Sequence, residues 1–206
     1  MKASAKRSNN RNDALLDAAA ELFSTQGFRE TTMRDIANAV GMLPGSIYYH
    51  YGSKDDLLLA IYETGVERIV EEFSKAVFPV DKPWERLGVA ISAHVGAITR
   101  QTPYMRVINR VLPEHVAKHA VPLSRLRQRY EDCFRDLIDG LPIAPSVDRS
   151  LLRLMVLGAV NHAQFWFEPN GKRSPSEVGE AFARFLIEPI AAPPKSTSPP
   201  NRKARK

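Results

Sequence analysis

Apolar residues in the N-terminal third recur with helical spacing and almost never alternate. Leu15, Ala18, Ala19, Leu22 and Phe23 predict a first helix over about 12–25, stopped at Gly27. Met33, Ile36, Ala37 and Val40 fall at i, i+3, i+4 and i+7 and predict a second, two-turn helix ended by Gly41. Leu43, Ile47 and Tyr51, spaced by four, predict a third, with Pro44 at its first position, where a missing N–H costs nothing. Ser53 with Asp56 three residues on resembles a capping box. It opens a fourth helix through Leu57, Ile61, Val66, Ile69, Val70 and Phe73 to about Val77, long enough to bridge two domains.

Pro79 and Pro83 punctuate a short linker, and the later prolines divide the chain into helical blocks at roughly 83–101, 103–113, 122–140, 146–167 and 175–190. Runs of alternating Val, Ile and Thr between turn pairs are missing, so the predicted fold is all-α. The 146–167 block is apolar around most of its circumference and must be covered on more than one side. Leu151, Met155, Gly158 and Ala159 on this block, with Phe182, Phe185 and Leu186 on the last, are the expected dimer interface, two helices from each subunit. The alternative is that both helices finish a monomer core. Residues 191–206, rich in Pro, Ser and positive charge, are expected to be a disordered basic tail.

The apolar stripe of the third helix turns Gly45, Ser46, Tyr48, Tyr49 and His50 toward solvent. Small, hydroxyl and aromatic side chains on a short exposed helix suit a DNA major groove, where Gly and Ser allow close approach and the others hydrogen-bond base edges or phosphates. Two cations sharpen this reading. Arg34 follows the cap Thr31 or Thr32, and Lys54 follows the cap Ser53, so both oppose the positive end of a helix dipole unless a phosphate sits there. An ordinary helical hairpin with solvated charges is the bland alternative.

The run from Gly41 to Leu57, GMLPGSIYYHYGSKDDL, resembles the recognition-helix signature of the TetR family of bacterial transcription regulators. The preceding AAxLFxxxGF and TTxRDIA are similar to that family's first two helices, and the likeness covers about residues 9–69, with the helix-turn-helix at 32–51. It implies a C-terminal helical ligand-binding and dimerisation domain over 70–190, and a homodimer that binds a palindromic operator in double-stranded DNA and is released by a small molecule. Carried over position by position, the DNA contacts are Thr32, Arg34, Pro44, Gly45, Ser46, Tyr48, Tyr49, His50 and Lys54. Leu43 departs from the family, which usually places Ser or another polar residue there. The recognition helix is therefore expected to lack a side-chain cap, with Leu43 packing through the apolar stripe instead.

Net charge adds less than its value of +6 suggests. The first twelve residues carry +4 and the last twelve +5, which leaves the body at −3, so the basic character sits in the ends. A single cysteine, Cys133, excludes an intramolecular disulfide and fits a reducing compartment. The polar, basic N-terminus lacks a signal-peptide core and no apolar run reaches about 18 residues, so a cytoplasmic protein without a membrane partner is expected.

Phosphate loops, nucleophile elbows and zinc-protease or paired-cysteine motifs are all lacking, so no enzymatic activity, metal or cofactor is predicted. His115 and His119 have metal-ligand spacing, but no third ligand lies near them in sequence, and solvated or pocket-lining histidines are the favoured reading. Asn161, with Phe165 beside it, interrupts an apolar helix with a group that needs either a ligand or an internal partner. Arg106, Asn109 and Arg110 meet an anionic ligand or face solvent. The segment Asn161–Trp166, followed by EPNG and SPS, looks like TetR-family members that sense acyl-CoA thioesters, which makes an acyl-CoA the expected effector. The competing class is a helical enzyme or interaction protein that uses its N-terminal domain for docking.

Overall fold

Polar side chains at N-caps and prolines in first turns set most helix starts. Thr32, Ser53, Thr102 and Asp148 each accept a backbone N–H one turn into the helix they precede, while Pro44, Pro83 and Pro103 occupy first turns. The computed structural model describes residues 2–168 and 170–191. Its helices are α1 (Lys2–Thr25), α2 (Met33–Ala39), α3 (Pro44–His50), α4 (Lys54–Val77), α5 (Pro83–Thr99), α6 (Pro103–Arg110), α7 (Ala120–Asp139), α8 (Arg149–Asn161), α9 (Ala163–Trp166) and α10 (Pro175–Ala191). Two 3₁₀ turns, Pro113–His115 and Ala117–His119, lead into α7. Among the described residues there is no strand, so the fold is all-α, as the periodicity predicts.

Three boundaries differ from expectation. Helix α1 begins at Lys2 rather than near 12, because the polar segment ahead of its apolar stripe holds neither Pro nor Gly to stop it. The 103–113 block ends at Arg110 and gives way to 3₁₀ turns. The 146–167 block is two helices, broken at His162. The expected tail beyond 191 lies outside the described residues.

Helices α1–α3 enclose Leu15, Ala19, Phe23, Ile36, Ala37 and Ile47, all at most 2% exposed. Gly41, at φ +64°, takes the left-handed turn that ends α2. Helix α4, 24 residues and about 36 Å long, buries Leu57, Leu58 and Ile61 near its first turns and Phe73 and Val77 at its far end. It packs on α1 at one end and on α5, α6 and α7 along the rest, so one continuous core joins the N-terminal bundle to the C-terminal one. Close crossings depend on glycine. A Cβ on Gly65 would lie 2.6 Å from Ile108 Cδ1 on α6, and one on Gly179 would lie 2.5 Å from Ser92 Cα on α5.

The C-terminal core holds one buried polar centre that the sequence reading did not single out. His94, 3% exposed, is 2.8 Å from Tyr130 Oη through Nδ1 and 2.8 Å from Asn161 Oδ1 through Nε2. Since Asn161 Oδ1 can only accept, Nε2 carries the proton and Nδ1 accepts from the tyrosine. Phe134 and Phe73 close around it. Burial pushes the His94 pKa down to about 4, so the ring is neutral.

Candidate nucleic-acid interface

Helix α2 is held by a complete capping box. Thr32 Oγ1 accepts from the Asp35 backbone N–H at 3.2 Å, and the Asp35 carboxylate accepts from the Thr32 backbone N–H at 2.8 Å. Those hydrogen bonds hold Asp35 below the usual carboxylate range. Thr31, the other candidate cap, is fully buried and donates to the Gly27 carbonyl at 2.8 Å. Helix α3 then rests on one anchor, the fully buried Ile47, while the Tyr51 hydroxyl donates to Asn12 Oδ1 at 2.8 Å and ties its end to α1.

On the opposite face of α3, Gly45, Ser46, Tyr48, Tyr49 and His50 are all exposed, Tyr49 to 87%, and Pro44 is half-buried. Tyr49 and His50 meet edge to face at 5.4 Å. Thr32 and Arg34 are exposed at the start of α2. The structure thus brings eight of the nine expected DNA contacts onto accessible positions of α2 and α3. Leu43 corrects the sequence reading: the helix has no side-chain cap there, as expected, but Leu43 is 76% exposed and does not pack.

Lys54, the ninth, has structural partners. Its ammonium donates to the carbonyls of Arg29 at 3.0 Å and Thr31 at 2.9 Å and sits 4.7 Å from the centre of the Phe28 ring. It therefore clamps the α1–α2 loop to the start of α4. The α4 cap reaches further: Asp56 accepts from Ser53, Lys118 and His119 at 2.7, 2.9 and 2.8 Å, and the Lys118 ammonium foremost holds its carboxyl well below the usual carboxylate range. His119 is thus an interdomain contact.

The expected ligand residues have other partners. Arg110 Nη1 donates to the Ser24 carbonyl at 2.8 Å, and Arg106 Nη2 donates to Ser24 Oγ at 3.0 Å, so both fasten α6 to the end of α1, Arg106 half-buried and Arg110 still exposed to solvent. Asn109 is half-buried beside them. Asn161 spends its side-chain oxygen on His94, and Phe165 is 75% exposed. Periodicity cannot see such pairings, because they join residues 67 to 86 positions apart.

A cavity of about 920 Å³ instead forms a groove between α4, α5 and α10, lined by Phe73, Ala93 and Ala97, with Tyr130 from α7. It shares Ile69, Glu72, Ala97 and Arg100 with a second cavity of about 430 Å³, which adds Asp17, Arg68 and Tyr104. There Arg68 lies 4.3 Å over the Tyr104 ring and 3.8 Å from Asp17, and Arg100 pairs with Glu72. Of the expected dimer residues, Leu151, Met155, Gly158, Ala159 and Phe185 are exposed, whereas Phe182 and Leu186 are half-buried against the core. Leu154, also exposed, completes an i, i+3, i+4, i+7, i+8 stripe on α8.

The pattern described as bacterial regulatory proteins of the tetR family matches residues 15–61, and the tetracyclin repressor-like C-terminal domain matches residues 80–190. The repressor KstR2 of Mycobacterium tuberculosis is 23% identical over 187 residues, covering 87% of this chain and 92% of its own. AibR, solved with isovaleryl coenzyme A and operator DNA, superposes with a TM-score of 0.74 at 24% identity, covering 86% of this chain and 98% of its own. The regulator PfmR of Thermus thermophilus gives 0.66 at 28% identity, with 84% and 97% covered. No helix among the described residues is long and apolar enough to cross a membrane. With one pattern matching the recognition helices and the other most of the remaining chain, this protein belongs to the TetR family of DNA-binding transcriptional regulators.

Proposed function

We propose that the chain is a cytoplasmic, homodimeric repressor that reads a palindromic operator with α3 of each subunit and is released by an acyl-CoA thioester. The observation that carries the reading is the α3 surface, where Tyr48, Tyr49 and His50 are exposed around a single buried anchor, Ile47. Arg34 stands beside them on a phosphate. Dimerisation covers the exposed α8 stripe and Phe185, and a Cβ on Gly158 would meet nothing within 4 Å in the single chain, which leaves room for a partner helix.

The effector's acyl chain fits the groove between α4, α5 and α10, whose size lies at the upper end of ordinary ligand sites. Its phosphates meet Arg100 and Arg68 in the adjoining cavity, the chemistry that AibR's isovaleryl coenzyme A would also demand. An anion there competes with Asp17 and Glu72 for those guanidinium groups and so loosens α4 from α1 and from the end of α5. Successive major grooves lie about 34 Å apart, so a small rotation of the N-terminal bundles disengages one half-site. Release requires that the ligand bind the disengaged form more tightly.

Gel-shift titration with DNA flanking the protein's own gene tests the core of this reading. Sequence-specific, salt-sensitive binding that isovaleryl-CoA or longer acyl-CoAs abolish is the expected result. Specific binding unaffected by any acyl-CoA removes the effector and keeps the regulator; absence of specific binding removes both. Met155→Glu places a charge in the proposed interface and should give a monomer by light scattering, with loss of operator binding.

A further inference from the structure

We infer that Leu43 is a specificity-determining residue that packs on the C5-methyl group of a thymine in the major groove. The inference rests on α3 being the recognition helix. Leu43 occupies the N-cap of α3, with extended φ −73° and ψ 139° and no side-chain cap bond. At the corresponding position of α2, α4, α6 and α8 the chain uses Thr, Ser, Thr and Asp, each accepting a backbone N–H, and α5, which also opens on a proline and lacks a side-chain cap, still has the polar Lys82 there. Here it forgoes that stabilisation and gains no packing in return, since Leu43 is 76% exposed while Ile47, one turn along the same stripe, is fully buried. A lone exposed leucine is unremarkable on most surfaces. A leucine in place of a cap, at the helix end that helix-turn-helix proteins point at base edges, breaks a local rule where function is concentrated.

The ligand chemistry follows from what Leu43 lacks. With no donor or acceptor it cannot read a base by hydrogen bonding, and the thymine methyl is the apolar feature that major-groove base edges present. Gly45, exposed and with nothing within 4 Å of an added Cβ, lets the backbone beside Leu43 approach the groove floor. Burying one methyl group corresponds to about fourfold in affinity.

The test selects bound sequences from a randomised duplex library with the full-length protein, then replaces each selected thymine by deoxyuridine, which removes only the methyl. At one position per half-site, deoxyuridine should lower wild-type affinity about fourfold per half-site. Leu43→Ala should bind the thymine and deoxyuridine operators equally, with an unchanged melting temperature. Leu43→Ser, which restores a cap, should be as blind to the methyl and keep the fold secure. If every thymine substitution affects wild type and Leu43→Ala alike, the inference is overturned while the DNA-binding reading stands. If no sequence is enriched at all, both fall.

Discussion

Arg110 on the last turn of α6 donates a hydrogen bond to the backbone carbonyl of Ser24 on the last turn of α1, at 2.8 Å. Arg106 holds the Ser24 hydroxyl at 3.0 Å, and the Tyr104 hydroxyl donates to Asp17 at 2.8 Å, two turns back along α1 from Ser24. The start of α6 follows Gln101, whose φ of +50° is rare for a residue with a side chain. The end of α5 is thus linked, through Gln101 and α6, to the N-terminal bundle by a short, directly bonded seam.

Cutting that seam should separate ligand binding from DNA release. The double variant Arg106→Ala/Arg110→Ala is expected to keep operator binding while the ratio of affinities without and with isovaleryl-CoA falls toward one, from the roughly 5–150-fold usual for coupled sites. Fluorescence anisotropy on a labelled operator measures it. A ratio equal to wild type assigns transmission to another contact.

Packing between α4 and α6 predicts a compensating pair. Gly65→Ala drives its methyl into Ile108 Cδ1, an overpacking cost of about 1–3 kcal/mol of which roughly 1 kcal/mol is offset by better helix propensity, so a net loss of up to about 2 kcal/mol is expected. Ile108→Val removes that carbon, so the double variant should lose less than the sum of the singles in urea unfolding. Simple additivity would mean that α6 yields by moving as a whole.

Two cations near the recognition helix should behave differently. Arg34→Ala is expected to weaken specific and random DNA alike and to reduce the salt slope by about one unit. Lys54→Met should in addition lower the melting temperature, because two carbonyls and the Phe28 ring lose their cation. Tyr49→Ala should erode discrimination between specific and random sites. Uniform losses for Tyr49→Ala on both DNAs would remove it from base readout.

His94 gives a pH signature. Its folded pKa is depressed to about 4 from an ordinary 6.5, so the unfolded chain takes up a proton first as pH falls. Stability should therefore decline from about pH 6.5 down to about 4, and His94→Gln should flatten that slope even though it is less stable at neutral pH. Asp56 is lowered as well, from an ordinary 3.8, so its contribution is present above that value and is lost only in stronger acid. Urea unfolding at pH 7.5, 5.5 and 4.5 isolates the histidine, and an unchanged slope in the variant would exclude it.

The sequence by itself determined the helical class, the starts of α2, α3, α4 and α10 to within about two residues, and the exposed face of α3, because each depends on neighbours a turn or two away: a capping threonine, a proline, an apolar residue every third or fourth position. It also carried the family resemblance, which the comparisons bear out. Tertiary structure alone decided what long side chains do. Arg106 and Arg110 have the same composition whether they meet solvent, an anion or the end of α1, and only the approach of α6 to α1 selects the last. Asn161 needed a partner, but that partner, His94, lies 67 residues away. Leu43 continues an apolar stripe in sequence yet projects outward, because its extended φ −73° and ψ 139° place it at the N-cap, outside the helical turns that bury Ile47. Local physics fixes elements and faces; which polar group meets which is settled by where the helices cross.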